Sequence, residues 1–433
     1  MFEKEVIAVE DLTSKQNNWR QHCINLIASE NVMSNRARRL LNSDFTHRYA
    51  EGHPGKRYYE GTKFIDIIET NVKEHLRQLF NCKQTEVRTI SGTNANDAVF
   101  NSIVPRNALC YVSSIPQGGH ISHQRIGALG KYTKNIKHLP VTKDGFHIDI
   151  EKTKDVINSE SPALIVFSKS MILFPEPVKE LANICREKGT RVLYDGAHVL
   201  GLIAGGCFQK PLEDGAEFIT ASTHKTFFGP QRGIILSNLA DKEWHKIDKS
   251  AFPGSTSNHH LNTLPPLLIS TLEMREFGNI YANDVITNAK HLASSLHKLG
   301  FKVQCADFGY TESHQVVVDV RDYGGGGTVA KVLCENDIIT NSNLLPFDGT
   351  ENLSNPSGIR LGVQEMTRLG MKKNEMEEIA RMIKETVIDK KTVKDAVNHF
   401  REKFQTVHYS FDNYSEGKTT KDNVNHLKFA PLR

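Results

Sequence analysis

Short apolar runs alternate with longer amphipathic stretches through the middle of the chain. The apolar runs predict buried strands over residues 108–112, 163–167, 191–194, 218–221 and 233–236. Helical patterns separate several of these runs, for example over 177–188. This alternation predicts βα units and a mostly parallel sheet, in which ligands lie beyond the carboxyl ends of the strands.

The two ends of the chain carry different patterns. Residues 1–45 predict an N-terminal helical arm. Near the other end, an amphipathic helix over 283–299 and a strand over 315–320 predict a smaller α+β domain. We therefore expect the arm to be followed by a large domain over 46–280 and a small C-terminal domain over 281–433, which ends in a polar tail.

The composition fits a large soluble protein. The chain has 433 residues, of which 39% are hydrophobic and 24% are charged, so it can bury more than one core. No apolar run is long enough to cross a bilayer, and residues 1–6 lack the basic and apolar regions of a signal peptide. We therefore expect a cytoplasmic protein that does not enter membranes.

Charge and cysteine content argue against several further classes. A net charge of +4 is too weak and too dispersed to indicate nucleic-acid binding. The seven cysteines are odd in number and form no C-x-x-C pair, so neither a disulfide framework nor a zinc site is expected. We accordingly expect no metal centre and no nucleic-acid partner.

Two strand ends carry an acid and a base that suit one cofactor. The predicted strand 191–194 ends on Asp195, and the strand 218–221 is followed by Lys225 among Ser, Thr and His residues. Pyridoxal phosphate needs such a pair, because a lysine holds its aldehyde as a Schiff base and a carboxylate keeps its pyridine nitrogen protonated. Either residue alone is more often an ordinary surface side chain, but the pair favours the cofactor.

Five further segments carry recognisable chemistry. In chain order they read NLIASEN at 25–31, YAEGHPGKRYY at 49–59, SGTNAN at 91–96, GGHISH at 118–123 and SGIRLG at 357–362. Together with the Asp195 and Lys225 motifs, this ordered set closely resembles serine hydroxymethyltransferase over about residues 20–372. The segments SNHH at 257–260 and NLLP at 343–346 are most similar to the archaeal branch of that family.

The resemblance implies a fold and an activity. The fold is that of fold-type I pyridoxal phosphate-dependent transferases (aspartate aminotransferase-like), an α/β architecture. Its large domain has a seven-stranded, mostly parallel sheet and is joined by a smaller C-terminal α+β domain. The enzyme interconverts serine and glycine and transfers the hydroxymethyl unit to tetrahydrofolate or tetrahydromethanopterin, with cleavage of threonine or allo-threonine as a side activity. It works as a homodimer or a dimer of dimers with shared active sites.

The resemblance also assigns residues to the cofactor. Lys225 forms the Schiff base, Asp195 pairs with the pyridine nitrogen, and His120 stacks on the ring, where Gly118 and Gly119 permit close approach to a ligand. Phosphate binds at the start of a helical pattern, at Ser91, Gly92 and Thr93. The other cofactor contacts come from Ser168, His198, Ser222 and His224, the last also catalytic, and from Tyr49, Ser257 and Asn258.

The substrate is assigned to a second set of residues. The planar guanidinium of Arg360 suits the substrate carboxylate, and Ser29 adds a hydroxyl to it. The segment 49–59 reaches the active site of the neighbouring subunit, where Tyr49 contacts phosphate. Within the same segment Glu51 manages a proton on serine or the pterin, Tyr59 positions the carboxylate or transfers a proton, and Tyr58 lies against the pterin.

Three departures from the family pattern bear on these assignments. Family glycines that contact the partner's phosphate are replaced here by the residues around Ser257 and Asn258. Many relatives place an arginine where this chain has Gln231, with Arg232 one position later. The loop 343–355 differs from the bacterial pterin-binding loop, so the pterin carrier stays open between the two named above.

Two rival functions stand beside the hydroxymethyltransferase. Residues 358–368 and 409–414 are also similar to L-threonine transaldolases, which, like threonine aldolases, need no pterin. The intact segment 49–59 favours the hydroxymethyltransferase. A non-catalytic scaffold or RNA-binding protein is the other rival, and the set of Lys225, Asp195 and Arg360 argues against it.

Overall fold

The computed structural model describes residues 2–413, which divide into two units. One unit comprises 29–283 with 408–413, and the other comprises 2–28 with 284–407. The predicted domain boundaries stay a prediction. Of the predicted polar tail, which begins at about residue 410, positions 414–433 lie outside the described residues, and so does the last position of the segment 409–414.

Seven strands form the sheet of the first unit. In chain order they are β1 Gln84–Glu86, β2 Cys110–Val112, β3 Ile136–His138, β4 Leu164–Phe167, β5 Arg191–Asp195, β6 Phe218–Ser222 and β7 Gly233–Ser237. Their order across the sheet is β1-β7-β6-β5-β4-β2-β3. Only β7 runs antiparallel to its neighbours, and the other adjacent pairs are parallel. The seven-stranded, mostly parallel α/β fold is therefore confirmed, and the five predicted strands are all present.

Helices connect these strands and cover the sheet. Their bounds are Asn35–Arg39, Lys63–Phe80, Gly92–Ile103, Ile150–Glu160, Val178–Glu187, Leu200–Ala204, Pro211–Asp214 and Asp241–Lys249. The helix predicted over 177–188 illustrates why they form. It buries Val178, Leu181, Ala182 and Cys185, whose spacing places them on one helical face, while its polar residues face outward. The strand β4 is buried along its whole length, as the continuous apolar run predicts.

The parallel arrangement brings several strand ends to one edge. Strand β4 is followed directly by Ser168, β5 ends at Asp195, and β6 ends three residues before Lys225. Because these strands are parallel, their carboxyl ends meet at the same edge of the sheet. Asp195 and Lys225, which were singled out from the sequence, therefore lie at the same edge of the sheet.

The second unit contains an antiparallel sheet of four strands. They are β8 Lys302–Val303, β9 Gln315–Asp319, β10 Asn341–Asn343 and β11 Gly358–Gly362, in the order β8-β9-β11-β10. Its helices are Glu3–His22, Gly326–Glu335, Gln364–Arg368, Lys373–Val387 and Lys394–Glu402. The helix Leu264–Lys298 begins in the first unit and ends in the second. A short parallel pair joins Ile24–Asn25 to Ile338–Ile339.

Three further observations concern the described residues as a whole. Over 2–413, no helix is both long and apolar enough to cross a bilayer. The same residues contain no group of three or more His, Cys, Asp or Glu side chains arranged to hold a metal ion. All seven cysteines are free thiols. The predicted cytoplasmic location is not tested by these findings and stays a prediction.

Candidate active site

A cavity of about 200 Å³ lies at the carboxyl edge of β4, β5 and β6. Many of the predicted site residues line it, namely Ser91, Gly92, Thr93, His120, Ser168, Asp195, His198, Ser222, His224 and Lys225. Four more lining residues were not predicted, Asn96, Lys169, Ser170 and Ala197. Positions from five separate segments of the sequence thus meet around one space.

The loop after β6 holds Lys225 in place. Gly229 N donates a hydrogen bond to Thr223 O at 2.7 Å, and Thr223 Oγ1 donates to Pro230 O at 2.6 Å. From the N-terminal part of the same unit, Asn31 Nδ2 donates to the Lys225 carbonyl oxygen at 2.7 Å. These hydrogen bonds fix the backbone around Lys225. The residue is 9% exposed, so little of its side chain contacts bulk water.

The Asp195 carboxylate is surrounded by hydrogen-bond donors. Asn96 Nδ2 donates to its Oδ2 at 2.7 Å, and Ala197 N donates to its Oδ1 at 3.0 Å. His123 Nε2 lies 3.2 Å from Oδ2. Thr220 Oγ1 donates to Asn96 Oδ1 at 2.5 Å, which orients the amide so that its NH₂ group faces the carboxylate.

This environment keeps Asp195 ionised. Burial raises the pKa of the carboxyl group, but the hydrogen bond and charge of His123, with smaller contributions from His120 and Asn96, hold it well below its usual range. Neither His123 nor Asn96 was predicted, although both lie inside quoted motifs. One signal was available for Asn96, because it stands four residues after Gly92 and so shares its helical face.

The helix Gly92–Ile103 begins at the cavity. Ser91 caps it, since its side chain accepts a hydrogen bond from Asn94 N at 3.1 Å. A Cβ atom on Gly92 would lie 2.5 Å from Ser222 Oγ, so glycine is required for the helix to start this close to β6. A helix N-terminus attracts anions through its amide groups and its dipole, and this one is therefore suited to a phosphate group.

The two glycines before His120 lie against backbone, and their predicted role in ligand approach stays a prediction. A Cβ on Gly119 would lie 2.1 Å from Ser113 O, and one on Gly118, whose φ is +91°, would lie 2.7 Å from Met171 O. The close approach that they permit is therefore to backbone of the protein itself. His120 is half-buried and its Nδ1 lies 2.7 Å from Ser122 Oγ.

His198 and His224 flank the cavity near the lysine. The His198 carbonyl oxygen accepts a hydrogen bond from Thr226 Oγ1 at 2.8 Å, which ties the segment after β5 to the lysine loop. Burial, with the charge of Lys225 beside it, lowers the pKa of His224 to about 4. His224 is therefore a neutral imidazole near neutral pH and does not add positive charge next to the lysine.

The segment 49–59 forms a hairpin outside the cavity lining. Its strands Gly52–His53 and Lys56–Arg57 pair antiparallel. The three tyrosines are exposed, Tyr49 by 52%, Tyr58 by 77% and Tyr59 by 44%. The cavity lining in the described chain contains none of the residues 49–59. The Glu51 charge raises the pKa of Tyr59, which shows that these two predicted residues are close together.

Ser257 and Asn258 also lie away from the cavity lining. Ser257 is exposed, and Asn258 Nδ2 donates to Arg48 O at 3.1 Å. Nearby, Gln231 is exposed while Arg232 is 1% exposed. Arg232 Nε donates to Val87 O at 2.6 Å, so the side chain of this arginine is bound to backbone inside the protein.

Two predicted substrate residues lie in different units. Arg360 is on β11 of the second unit, where its Nη2 donates to Asn341 Oδ1 at 3.2 Å and Thr340 Oγ1 donates to its carbonyl oxygen at 2.8 Å. It is 8% exposed, and burial lowers its pKa. Ser29 is half-buried and begins the first unit. Their proposed roles stay predictions.

The polar groups around the cavity fit pyridoxal phosphate. They offer a buried amine on Lys225, a carboxylate on Asp195 that stays ionised, and a helix N-terminus at Gly92 with the space that only a glycine leaves. These are partners for an aldehyde, a pyridinium nitrogen and a phosphate, respectively. With the seven-stranded sheet, they define the class of this protein as a pyridoxal phosphate enzyme of fold type I.

Comparisons with known proteins agree with this class and narrow it to one family. The family model of serine hydroxymethyltransferase matches residues 2–383. The serine hydroxymethyltransferase of Methanosphaera stadtmanae is 46% identical, covering 94% of this chain and 96% of that protein. That of Archaeoglobus fulgidus is 48% identical, covering 90% and 89%. The chain therefore belongs to the serine hydroxymethyltransferase family, as the motifs predict.

A solved structure is also similar. The crystal structure of L-threonine transaldolase from Pseudomonas fluorescens matches with a TM-score of 0.87 at 27% identity, covering 99% of this chain and 98% of that one. The sequence identity to the two hydroxymethyltransferases is considerably higher. The chain thus shares its fold with the transaldolase, while its sequence identity is higher to the two hydroxymethyltransferases.

Proposed function

We propose that this enzyme interconverts serine and glycine and transfers the hydroxymethyl unit of serine to a reduced pterin. The observation that carries the proposal is that Lys225 and the ionised Asp195 line one cavity in a chain that matches the family over 2–383. The threonine or allo-threonine cleavage that the family resemblance implies belongs to the same proposal as a side activity.

The cavity residues would hold the cofactor and tune it. When bound, pyridoxal phosphate would withdraw electrons from the bonds at the substrate's Cα. Lys225 would hold it through its side-chain amine, and Asp195 would keep the pyridine nitrogen protonated. Phosphate would lie at the helix start after Ser91, and His120 would lie against the ring.

A smaller set of residues would hold and orient the amino acid. Arg360 would bind its carboxylate through two parallel hydrogen bonds, with Ser29 adding a third. Ser168 and His198, both buried at the cavity, would contact the cofactor's phenolic oxygen or the amino acid. His224 is neutral, so it can accept or share a proton without repelling Lys225.

The exposed hairpin supports a site shared between two subunits. Three tyrosines beside a glutamate are an unusual surface to leave in water. A second copy of the chain would cover them, with Tyr49 at the partner's phosphate, Tyr58 against the pterin, and Glu51 and Tyr59 at the reacting groups. Ser257 and Asn258 would approach the same phosphate. A homodimer, or a dimer of dimers, follows from this arrangement.

The pterin would be tetrahydrofolate or tetrahydromethanopterin. The loop 343–355 differs from the bacterial pterin-binding loop, which leaves room for the modified carrier. A second candidate function is threonine transaldolation, favoured by the structural likeness to the L-threonine transaldolase from Pseudomonas fluorescens. The segment 49–59, complete here, favours the pterin-dependent reaction.

One assay separates these functions. Purified holoenzyme is incubated with serine, with no pterin, with tetrahydrofolate or with tetrahydromethanopterin, and glycine formation is followed. Threonine cleavage and transfer of its glycyl unit to an added aldehyde are measured on the same preparation. We expect glycine formation from serine to require one of the pterins. Serine turnover equal with and without pterin, alongside faster threonine transfer, would replace the proposal with the transaldolase.

A further inference from the structure

Arg57 binds the hairpin 49–59 to the following helix. Its Nη1 donates to Ala50 O at 2.6 Å and to Gly52 O at 2.9 Å, which lie on the opposite side of the hairpin. Its Nε donates to Asp66 Oδ1 at 2.8 Å, and its Nη2 donates to Glu69 Oε2 at 2.6 Å. One guanidinium group therefore contacts both sides of the hairpin and two carboxylates of the helix Lys63–Phe80.

His259 completes this cluster from a distant part of the chain. Its Nε2 lies 3.2 Å from Glu69 Oε2, the same oxygen that binds Arg57. Both His259 and Glu69 are 0% exposed. Among residues 2–413, the Nδ1 atom of His259 has no hydrogen-bond partner, so Glu69 is the polar group to which this ring is directed. Burial lowers the pKa of His259, which favours the neutral ring, and its Nε2–H then donates a hydrogen bond to the Glu69 carboxylate.

The residue before His259 makes a second tie to the same region. Asn258 Nδ2 donates to Arg48 O at 3.1 Å, one residue before Tyr49. Two consecutive side chains therefore contact this region. Asn258 binds the backbone at the start of the hairpin segment, and His259 contacts Glu69, the carboxylate that binds Arg57 near the end of the segment.

We infer that His259 is a positioning residue, which acts through Glu69 and Arg57 to fix the hairpin 49–59 relative to the segment 257–258. The two segments are those proposed to reach the partner subunit's cofactor phosphate and reacting groups, so the inference rests on the proposed function. His259 itself touches neither cofactor nor substrate. It sets the distance between two surface segments that must enter one site together.

The physical reason is that Glu69 is a buried anion whose position depends on all its donors. A carboxylate in the interior moves toward the donors that remain when one is removed. Without His259, Glu69 would shift toward Lys73, whose Nζ lies 3.0 Å from its Oε1, and Arg57 would follow it. A displacement of about 1 Å at reacting groups can cost about 100-fold in rate.

Three variants test this inference. His259→Leu removes the donor, His259→Gln retains an NH₂ group at the position of Nε2, and His260→Asn is the control at an exposed neighbour whose φ of +53° asparagine tolerates. With cofactor content and unfolding temperature matched, we expect His259→Leu to lower kcat/KM for pterin-dependent serine cleavage about 10- to 100-fold. We expect His259→Gln to recover most of the loss and His260→Asn to show none.

A double-mutant cycle separates positioning from general damage. If His259 acts on the hairpin, its substitution by Leu should matter far less in a Glu51→Gln background, where the proposed proton-handling group is already absent. Equal losses in both backgrounds would overturn the inference. So would a failure of His259→Gln to recover activity in a variant that folds with normal stability.

Hydrogen exchange provides a readout that does not depend on activity. In His259→Leu the amides of residues 50–58 should exchange about tenfold faster or more, while those of β5 and β6 stay unchanged. If the parent enzyme failed to convert serine with either pterin, the proposed function would fall, yet this exchange pattern would still report the anchoring role. Unchanged exchange over 50–58 would remove that role as well.

Discussion

His123 Nε2 lies 3.2 Å from Asp195 Oδ2, and both side chains are buried at the carboxyl edge of the sheet. His123 is not part of the cavity lining, whereas Asp195 is. His123 and Asn96 both contact Oδ2 of Asp195. The predicted partner of Asp195, a pyridinium nitrogen, requires a carboxylate that stays ionised. The contact with His123 supplies that condition from within the chain.

The lowered pKa of Asp195 makes stability depend on acid pH. Because the pKa is lower in the folded than in the unfolded state, the carboxylate contributes stability above about pH 4 that is lost as the pH falls below this value. In urea unfolding of the cofactor-free protein, the advantage of the parent over Asp195→Asn should be nearly constant from roughly pH 7 to pH 5 and should shrink as the pH falls from about 4 to 3. His123→Leu should make that decline smaller, because the folded-state pKa of Asp195 would rise toward its unfolded value, while the onset of the decline stays near the unfolded pKa of about 4. An advantage that does not change with pH would contradict the assignment.

Gly92 allows the helix start to lie against β6. In Gly92→Ala the new Cβ would lie 2.5 Å from Ser222 Oγ, and such overpacking costs roughly 1–3 kcal/mol. We expect about tenfold weaker binding of pyridoxal phosphate, measured by titrating the cofactor-free enzyme. Adding Ser222→Ala removes the clashing atom and leaves 3.4 Å as the closest remaining approach. Because Ser222 is itself a proposed cofactor contact, Ser222→Ala is also measured alone. Gly92→Ala should weaken binding less in the Ser222→Ala background than in the parent, and an equal loss in both backgrounds would exclude this steric cause.

Lys225 is proposed to hold the cofactor covalently. Lys225→Ala should purify folded but lack the visible absorption of a lysine-bound cofactor, with serine turnover reduced on the order of 1,000-fold. Lys225→Arg is the matched control for charge, since it stays cationic without offering a primary amine. Both variants should lose the absorption band. Its retention in either one would show that another amine holds the cofactor.

Glu51 is proposed to handle a proton during one-carbon transfer. Glu51→Gln should slow pterin-dependent serine cleavage about 100-fold or more. Since the Glu51 charge raises the pKa of Tyr59, the same variant should lower the pKa of that phenol, seen as the difference between titrations with and without Tyr59→Phe. Glu60→Gln, at an exposed position nearby, is the control. A parent-like rate in Glu51→Gln would exclude the proton-handling role.

Local pattern and strand-end chemistry predicted the central sheet well. The apolar runs located β2, β4, β5, β6 and β7 to within a few residues, because buried parallel strands read as continuous apolar stretches. The pairing of Asp195 with Lys225 across neighbouring strand ends needed only the rule that parallel strands end at one edge. These parts of the molecule depend on sequence features that are close together or repeat along the chain.

Long-range contacts were beyond reach of the same reasoning. Asn96 meets Asp195 across 99 positions, and its place on the same helical face as Gly92 does not indicate which distant residue it contacts. The glycine pair 118–119 had a plausible ligand role, yet it makes room for backbone at Ser113 and Met171. Arg232 likewise reads as an ordinary basic residue, although it is buried. Each depends on which segments the fold brings together.

The antiparallel strand β7 has a consequence for the order of folding. Since it returns directly beside β6, the loop that carries Lys225 is a hairpin connection, closed by bonds between residues less than ten positions apart. Contacts close in sequence form faster than those that need large loops to close. The lysine loop should therefore form before Asn96 reaches Asp195. Pulse-labelled exchange during refolding should show the Gly229 amide protected earlier than the Gly233 amide, which donates to Thr89 O just before the helix that carries Asn96. The reverse order would refute this. The two halves of the cofactor site would then assemble at different times in the history of each molecule.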